Sequence, residues 1–274
     1  MSGRRNPFQR AKNPLVLQER DKKLIALVYD YRFLKESQIR VLLGFGCRTR
    51  ANIRLRKLFD AGYLSRRFLS NFQGRAKILY FLGPRGVEII SEKSGADPLK
   101  IKQKRKQLLK VKNTALPHYL LINEFKLAFS LSSKNKPEIN LKSWRMQKEA
   151  PLCLEEKKFY PDAYFVYGLH NKLYSFFLEI DRSTESNKRF QEKINNYLEY
   201  GLGGYYQKQS GFQFFKVLVV CQSMARLRNL KKLIEQKTDK MFWLAIQEDV
   251  SPEKLLSKIW HRPAKDSLFS ILEN

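Results

Sequence analysis

Positive charge constrains this chain more than any other feature. Fifty-three lysine and arginine residues face 26 aspartates and glutamates, a formal charge of +27 at pH 7. Self-repulsion of that size opposes compaction and attracts polyanions, so nucleic acid is the leading class of partner. The excess is broad: residues 1–100 carry 22 Lys+Arg against 8 Asp+Glu, or +14, leaving +13 for residues 101–274. A hydrophobic fraction of 43% and an aromatic fraction of 13% still suffice for packed cores, which excludes a wholly disordered chain. With 274 residues, one large domain or two modest ones are expected.

No apolar run approaches the roughly 18–20 residues of a membrane span, and Met1 to Pro7 lacks the apolar stretch of a secretory signal. A cytoplasmic location with nucleoid or plasmid association is expected, with no membrane partner. Cys47, Cys153 and Cys221 are widely spaced and odd in number. They argue against a disulfide framework or a structural zinc site and fit a reducing cytosol.

Composition divides the chain. Residues 1–14 read as a disordered basic arm, 15–94 as a first domain, 95–115 as a basic linker around Lys100-Ile101-Lys102-Gln103-Lys104-Arg105-Lys106, and 116–274 as a second domain. In the first domain Leu24, Leu27, Val28 and Tyr31 lie on one helical stripe, Ile39, Leu42 and Leu43 face inward from a short second helix, and a turn holding Gly44 and Gly46 leads to a third. There Ala51, Leu55, Leu58 and Phe59 form the buried face, and Gly62 ends the helix. Strand-like runs at 63–69 and 77–82 bracket a turn-rich tip, and a helix follows Pro84. Three helices and a hairpin in that order make a winged helix-turn-helix.

The third helix suits a major groove. Arg48, Arg50, Arg54 and Lys57 offer phosphate or guanine contacts, and the Asn52 amide can pair with adenine. Arg66, Arg67, Arg75 and Lys77 on the wing are expected to grip the flanking backbone. The bland alternative is a winged helix that binds protein, its arginines merely solvated.

The second domain reads as α (117–133), β (139–147), β (159–167), β (173–181), α (185–200), β (213–221), α (224–237), β (241–246) and a short helix near 253–259, a mixed sheet covered by helices. Asp162 opens one strand; Glu179 and Asp181 share a face at the end of the next, with Ile180 opposite. Three acids converging in a cationic domain would suit Mg²⁺ or Mn²⁺; surface ion pairs, with Arg182 as partner, are an equal reading. Arg189, Lys193 and Tyr197 follow at i, i+4 and i+8, so Lys193 could hold a phosphate if that face overlooks the acids. Glu124 and Glu149 are weaker candidates. No HExxH, HxH or GxxxxGK[ST] pattern occurs, which disfavours a histidine-bound zinc hydrolase and a P-loop ATPase.

Several motifs in order carry a resemblance. Leu17 to Asp21, Tyr31 to Leu34, the arginine-rich third helix, Ala61-Gly62-Tyr63-Leu64 and Leu82-Gly83-Pro84-Arg85-Gly86 are followed by Leu116-Pro117-His118, Asn123-Glu124, Pro161-Asp162-Ala163, Phe177 to Arg182, and Lys193 with Tyr197. Over about residues 15–265 the chain resembles replication-relaxation proteins of plasmids and integrative elements, which are similar to MobC-type plasmid relaxases. The resemblance implies a two-domain α+β protein, a winged helix followed by a restriction-endonuclease-like PD-(D/E)xK domain with an αβββαβ core. It implies Asp162, Glu179 and the carbonyl of Ile180 as ligands of Mg²⁺ or Mn²⁺. Asp181 stands where that fold usually has lysine, and Lys193 is the replacement.

The leading expectation is a sequence-specific DNA-binding protein of a mobile element that nicks or processes DNA at an origin-like site, with Asp162, Glu179, Asp181 and Lys193 as catalytic residues. Water or the Tyr197 hydroxyl would attack. Double-stranded DNA is the expected partner, with other relaxosome or replication proteins; a homodimer fits the same reading. The rivals are a non-catalytic accessory factor or transcriptional regulator with a degenerate nuclease-like domain, and a non-specific nucleic-acid chaperone.

Overall fold

The computed structural model describes residues 15–69, 77–134, 136–155 and 157–273. It is a mixed α/β chain in two compact units that divide at Asn123/Glu124. The expected arm (1–14) and the wing tip with Arg75 lie outside the described residues.

The first unit begins with α1 (Glu19–Tyr31), the two-residue strand β1 (Leu34–Lys35), α2 (Glu36–Leu43) and α3 (Arg48–Asp60). Strands β2 (Leu64–Leu69) and β3 (Lys77–Leu82) form an antiparallel hairpin, and β1 joins the far side of β3, giving the order β1-β3-β2. Leu24, Ile25, Val28, Leu55 and Leu58 are fully buried, as the helical spacing requires. A tight crossing joins the hairpin to α4 (Gly86–Ser94). The Gly83 N–H donates to Tyr63 O at 2.8 Å, and a Cβ on Gly83 would lie 2.2 Å from the Gly62 carbonyl oxygen. Only glycine lets the two backbones approach so closely.

Residues 95–115, expected as a linker, are largely helix. In α5 (Pro98–Leu109), Asp97 caps the N-terminus by accepting from the Leu99 N–H at 2.8 Å, and Pro98 opens the first turn. Ile101 is 1% exposed, so this basic run has an apolar anchor. Leu108 joins Phe33, Leu79, Phe81, Leu116 and Leu120 in one core cluster. The last two come from α6 (Leu116–Ser132), and Asn123 of the same helix donates through Nδ2 to Tyr31 O (2.9 Å) and Phe33 O (2.5 Å). The first unit thus ends within α6, at residue 123 rather than 94.

In the second unit a seven-stranded sheet runs β12-β11-β10-β9-β8-β7-β4. Strands β4 (Ile139–Met146), β7 (Ala163–Leu169) and β8 (Lys172–Asp181) form an antiparallel meander, while β9 (Lys216–Cys221) and β10 (Phe242–Ile246) continue parallel to β8. Helices α7 (Asn187–Leu202) and α9 (Met224–Glu235) make the parallel crossovers. A two-strand ribbon, β5 (Leu152–Cys153) with β6 (Lys158–Phe159), occupies the start of the expected 159–167 strand. The expected 213–221 strand starts later, because α8 (Tyr205–Ser210) fills the approach between left-handed Gly204 and Gly211. Residues 253–259 are turns, not the expected helix, and they lead into β11 (Trp260–His261) and β12 (Leu268–Phe269). Trp260 anchors this segment, fully buried, its indole N–H donating to Leu255 O at 3.1 Å.

Strand β8 sets the direction of the acidic side chains. Phe176 stacks on Phe165 and Tyr167 on one face of the sheet, with ring centroids 5.2 and 5.3 Å away. Phe177 points to the other face, into Tyr197, Tyr206 and Phe215. By strand alternation Glu179 and Asp181 emerge on that second face, beneath α7 and α9.

Candidate active site at the end of two strands

Residue Asp162 precedes β7, tied to β8 by its own N–H donating to Leu178 O at 3.1 Å. Its Oδ2 accepts the Ile180 N–H at 2.8 Å. The strand-end pairing therefore brings Asp162 beside Glu179, close enough for their charges to repel.

Glu179 is 3% exposed, and both its oxygens are engaged. Oε1 accepts from the Tyr197 hydroxyl at 2.6 Å, and Oε2 from Lys193 Nζ at 2.8 Å. Lys193 Nζ also meets Glu185 Oε2 at 3.0 Å. The helix places these donors: Lys193 and Tyr197 are one turn apart on α7, whose N-terminus is capped by Ser186 accepting from the Arg189 N–H. Arg189, one turn earlier, is exposed and sits 3.8 Å from Glu185.

Burial pushes the Glu179 carboxyl up, and Asp162 adds to the rise against the opposing pull of Lys193. For Lys193, burial works against the charged form, but Glu179, Asp162 and Glu185 outweigh it and raise its pKa, so the ammonium is held charged. Burial and the Glu179 carboxylate raise the Tyr197 hydroxyl well above its ordinary value. Tyr197 is fully buried, its hydroxyl committed to Glu179.

The three acids do not converge. Asp181 turns to α9, where Arg226 Nη2 meets its Oδ2 at 2.8 Å and Nε lies 3.2 Å from both oxygens. Arg226 also donates to Asn187 Oδ1 and Glu185 O, both at 2.8 Å. Asp181 is thus the anchor of a buried ion pair with Arg226. Sequence reading missed Arg226, since nothing local marks a partner 45 residues away. It also missed Glu185 as a second partner of Lys193. The Ile180 N–H contacts Asp162, while its side chain lies on the opposite face. Glu149 Oε2 accepts the Met146 N–H at 3.4 Å, closing a local turn. Among the described residues no cluster of three or more His, Cys, Asp or Glu side chains is arranged to hold a metal ion.

The donor set still fits a hard divalent ion. Each carboxylate oxygen of Glu179 accepts one hydrogen bond and has a second lone pair. One or two carboxylates, with water and substrate phosphate, is the usual Mg²⁺ complement. Asp162 and Glu179 would hold it; Asp181 would not.

In the first unit the expected DNA contacts fall into two groups. Arg50, Asn52, Lys57 and Lys77 are exposed. Arg48 is also largely exposed, with Nε 3.5 Å from Glu36. The others are committed to the fold. Arg54 is half-buried and pairs with the buried Asp21, with Nε–Oδ1 2.7 Å, and it also reaches Val16 O at 3.0 Å. Arg66 stacks over Phe59 at 4.3 Å and Tyr80 at 5.5 Å, where burial lowers its pKa. Arg67 donates to Leu108 O (3.3 Å), Val111 O (2.5 Å) and Asn113 Oδ1 (2.7 Å). No described helix is long and apolar enough to cross a membrane.

Fold and site define a two-unit α/β protein with a buried carboxylate–lysine–tyrosine cluster at the end of a mixed sheet. The chain belongs to the replication-relaxation family, whose model matches residues 25–215. No curated protein matches it. Among solved structures it is similar to the restriction endonuclease FokI, with 15% identity, a TM-score of 0.28, and coverage of 88% of this chain. The chain spans 46% of that enzyme's length.

Proposed function

We propose that the chain is a DNA-processing protein of a plasmid or other mobile element, in which a winged helix reads duplex DNA and a restriction-endonuclease-like unit nicks it. The observation that carries this reading is the contact of Lys193 with Glu179 beside Asp162, a cation and two carboxylates at adjacent strand ends. Membership of the replication-relaxation family supports it. Arg50 and Asn52 are exposed on α3 and supply base contacts; Lys57 and Lys77 supply phosphate contacts.

In the nicking step Lys193, held by Glu179 and Glu185, presents a fixed positive charge to the scissile phosphate and stabilises the charge that develops there. Glu185 keeps the ammonium in place, and Arg226 fixes the loop that carries Glu185. With Tyr197 buried, water attacks the scissile phosphorus, the bond from phosphorus to one sugar oxygen breaks, and the departing oxygen is protonated from solvent as the attacking water gives up its proton. A divalent ion on Asp162 and Glu179 would supply Lewis-acid polarisation and a more acidic water.

The test is a nicking assay on supercoiled plasmid that carries the DNA flanking the gene. Asp162→Ala/Glu179→Ala should abolish Mg²⁺-dependent nicking and leave duplex binding intact. Nicking that persists in the double variant removes the enzymatic reading.

One observation favours a second reading, a DNA-binding accessory factor that does not cut. Lys193, Tyr197 and Arg226 satisfy the acids internally, as a structural network would. That reading expects sequence-specific binding that is indifferent to divalent ions, and no nicking by the wild type.

A further inference from the structure

We infer that the outer face of α5 is a second, sequence-independent contact for the phosphate backbone of duplex DNA. The inference rests on the DNA-binding reading above and extends it to a helix outside the reading head.

The segment carries five cations, Lys100, Lys102, Lys104, Arg105 and Lys106, and no acid. Ile101 and Leu108 are buried and Arg105 donates through Nε to Leu82 O at 3.1 Å, so positions 101, 105 and 108 form the inward stripe. The lysines are left outward. Lys102, Lys106 and Lys110 fall at i, i+4 and i+8 and are all exposed, forming a single ridge. Like charges one turn apart on a helix repel, so this arrangement disfavours the isolated helix and favours a bound polyanion.

The helix is also tied to the hairpin. Arg67 lies two residues before the end of β2 and donates to Leu108 O and Val111 O, the carbonyls at the end of α5. A cation on those carbonyls satisfies the helix C-terminus. The guanidinium that sequence reading assigned to DNA thus holds in place the helix that exposes Lys102 and Lys106. Charge complementarity and this continuity with the hairpin point to duplex DNA as the occupant. Contacts of this kind carry affinity without sequence preference.

The test measures binding of the full chain to a 40-base-pair duplex of random sequence by fluorescence anisotropy, across a series of salt concentrations (the duplex length, about four helical turns, is a choice of probe). Lys102→Gln/Lys106→Gln/Lys110→Gln should weaken binding to random and gene-flanking duplexes alike. It should lower the slope of log K against log salt by about three, roughly one per lost phosphate contact. If the triple variant loses helicity by circular dichroism, the single changes Lys102→Gln and Lys106→Gln carry the test, each lowering the slope by about one. A wild-type slope and affinity in the variants overturns the α5 contact and leaves the reading head standing. A wild type that binds no duplex overturns both. Loss of binding to phosphatidylserine vesicles with duplex binding unchanged assigns the ridge to a membrane and also overturns the inference.

Discussion

At Arg54 a single side chain separates folding from recognition. Its side chain is 19% exposed and pairs with the Asp21 side chain, which is 2% exposed. Removing one member of so buried a pair leaves an uncompensated charge, at a cost of about 3–5 kcal/mol. Arg54→Ala should therefore lower the urea midpoint, whereas Arg50→Ala, at an exposed position on the same helix, should relax sequence preference at unchanged stability. A pair of melting and binding curves separates the two. The spacing already hinted at this: position 54 is three residues after Ala51 and four before Leu58, on the edge of the buried stripe. Charge alone had placed it on the DNA face. Lys193 and Tyr197 were readable as a pair because helical spacing is local, whereas the partner of Asp181 is supplied by tertiary structure.

Lys216 titrates in the opposite sense to Lys193. Burial and the nearby Arg262 bring its pKa down to about 8, and its ammonium lies 4.3 Å from the Trp243 ring centroid. The unfolded chain holds this proton up to about 10.5. Between about 8 and 10.5 the unfolded state binds more protons, so this group makes stability rise with pH. Lys216→Met should be more stable than wild type at pH 7, with the gap shrinking by pH 10. Urea midpoints at the two pH values measure it.

Among the elements, the hairpin-to-α4 junction is the least tolerant of change. A Cβ at Gly83 would meet Gly62 O at 2.2 Å, Tyr63 C at 2.5 Å and Leu64 N at 2.7 Å, all backbone atoms that cannot swing aside. Gly83→Ala should cost about 1–3 kcal/mol, seen as a lower melting temperature. Long periodic elements such as α1 and α7 were legible in sequence. The two-residue strands β1, β11 and β12 were not, because a pattern of period two needs more residues than they have. Helix α5 was hidden for a different reason. Its dense charge reads as linker, and only two of its four aliphatic positions, Ile101 and Leu108, are buried.

For the whole molecule, charge remains the organising fact. Both units carry excess cations over a mixed α/β frame, and pairs such as Arg226–Asp181 and Arg54–Asp21 fix a few of them inside. The second unit was legible in outline from the order of its strands. The direction of Asp181 was not, since an alternating strand gives the face and not the partner.

The first unit takes its last core residues from α6: Leu116 and Leu120 pack with Phe33 and Phe81, and Asn123 satisfies the carbonyls of residues 31 and 33. A gene fragment cut at the charged stretch before residue 116 would therefore encode a head lacking its own floor. Transplanting the first unit onto another domain, by an engineer or by recombination, needs a breakpoint downstream of residue 123, inside a helix instead of a loop.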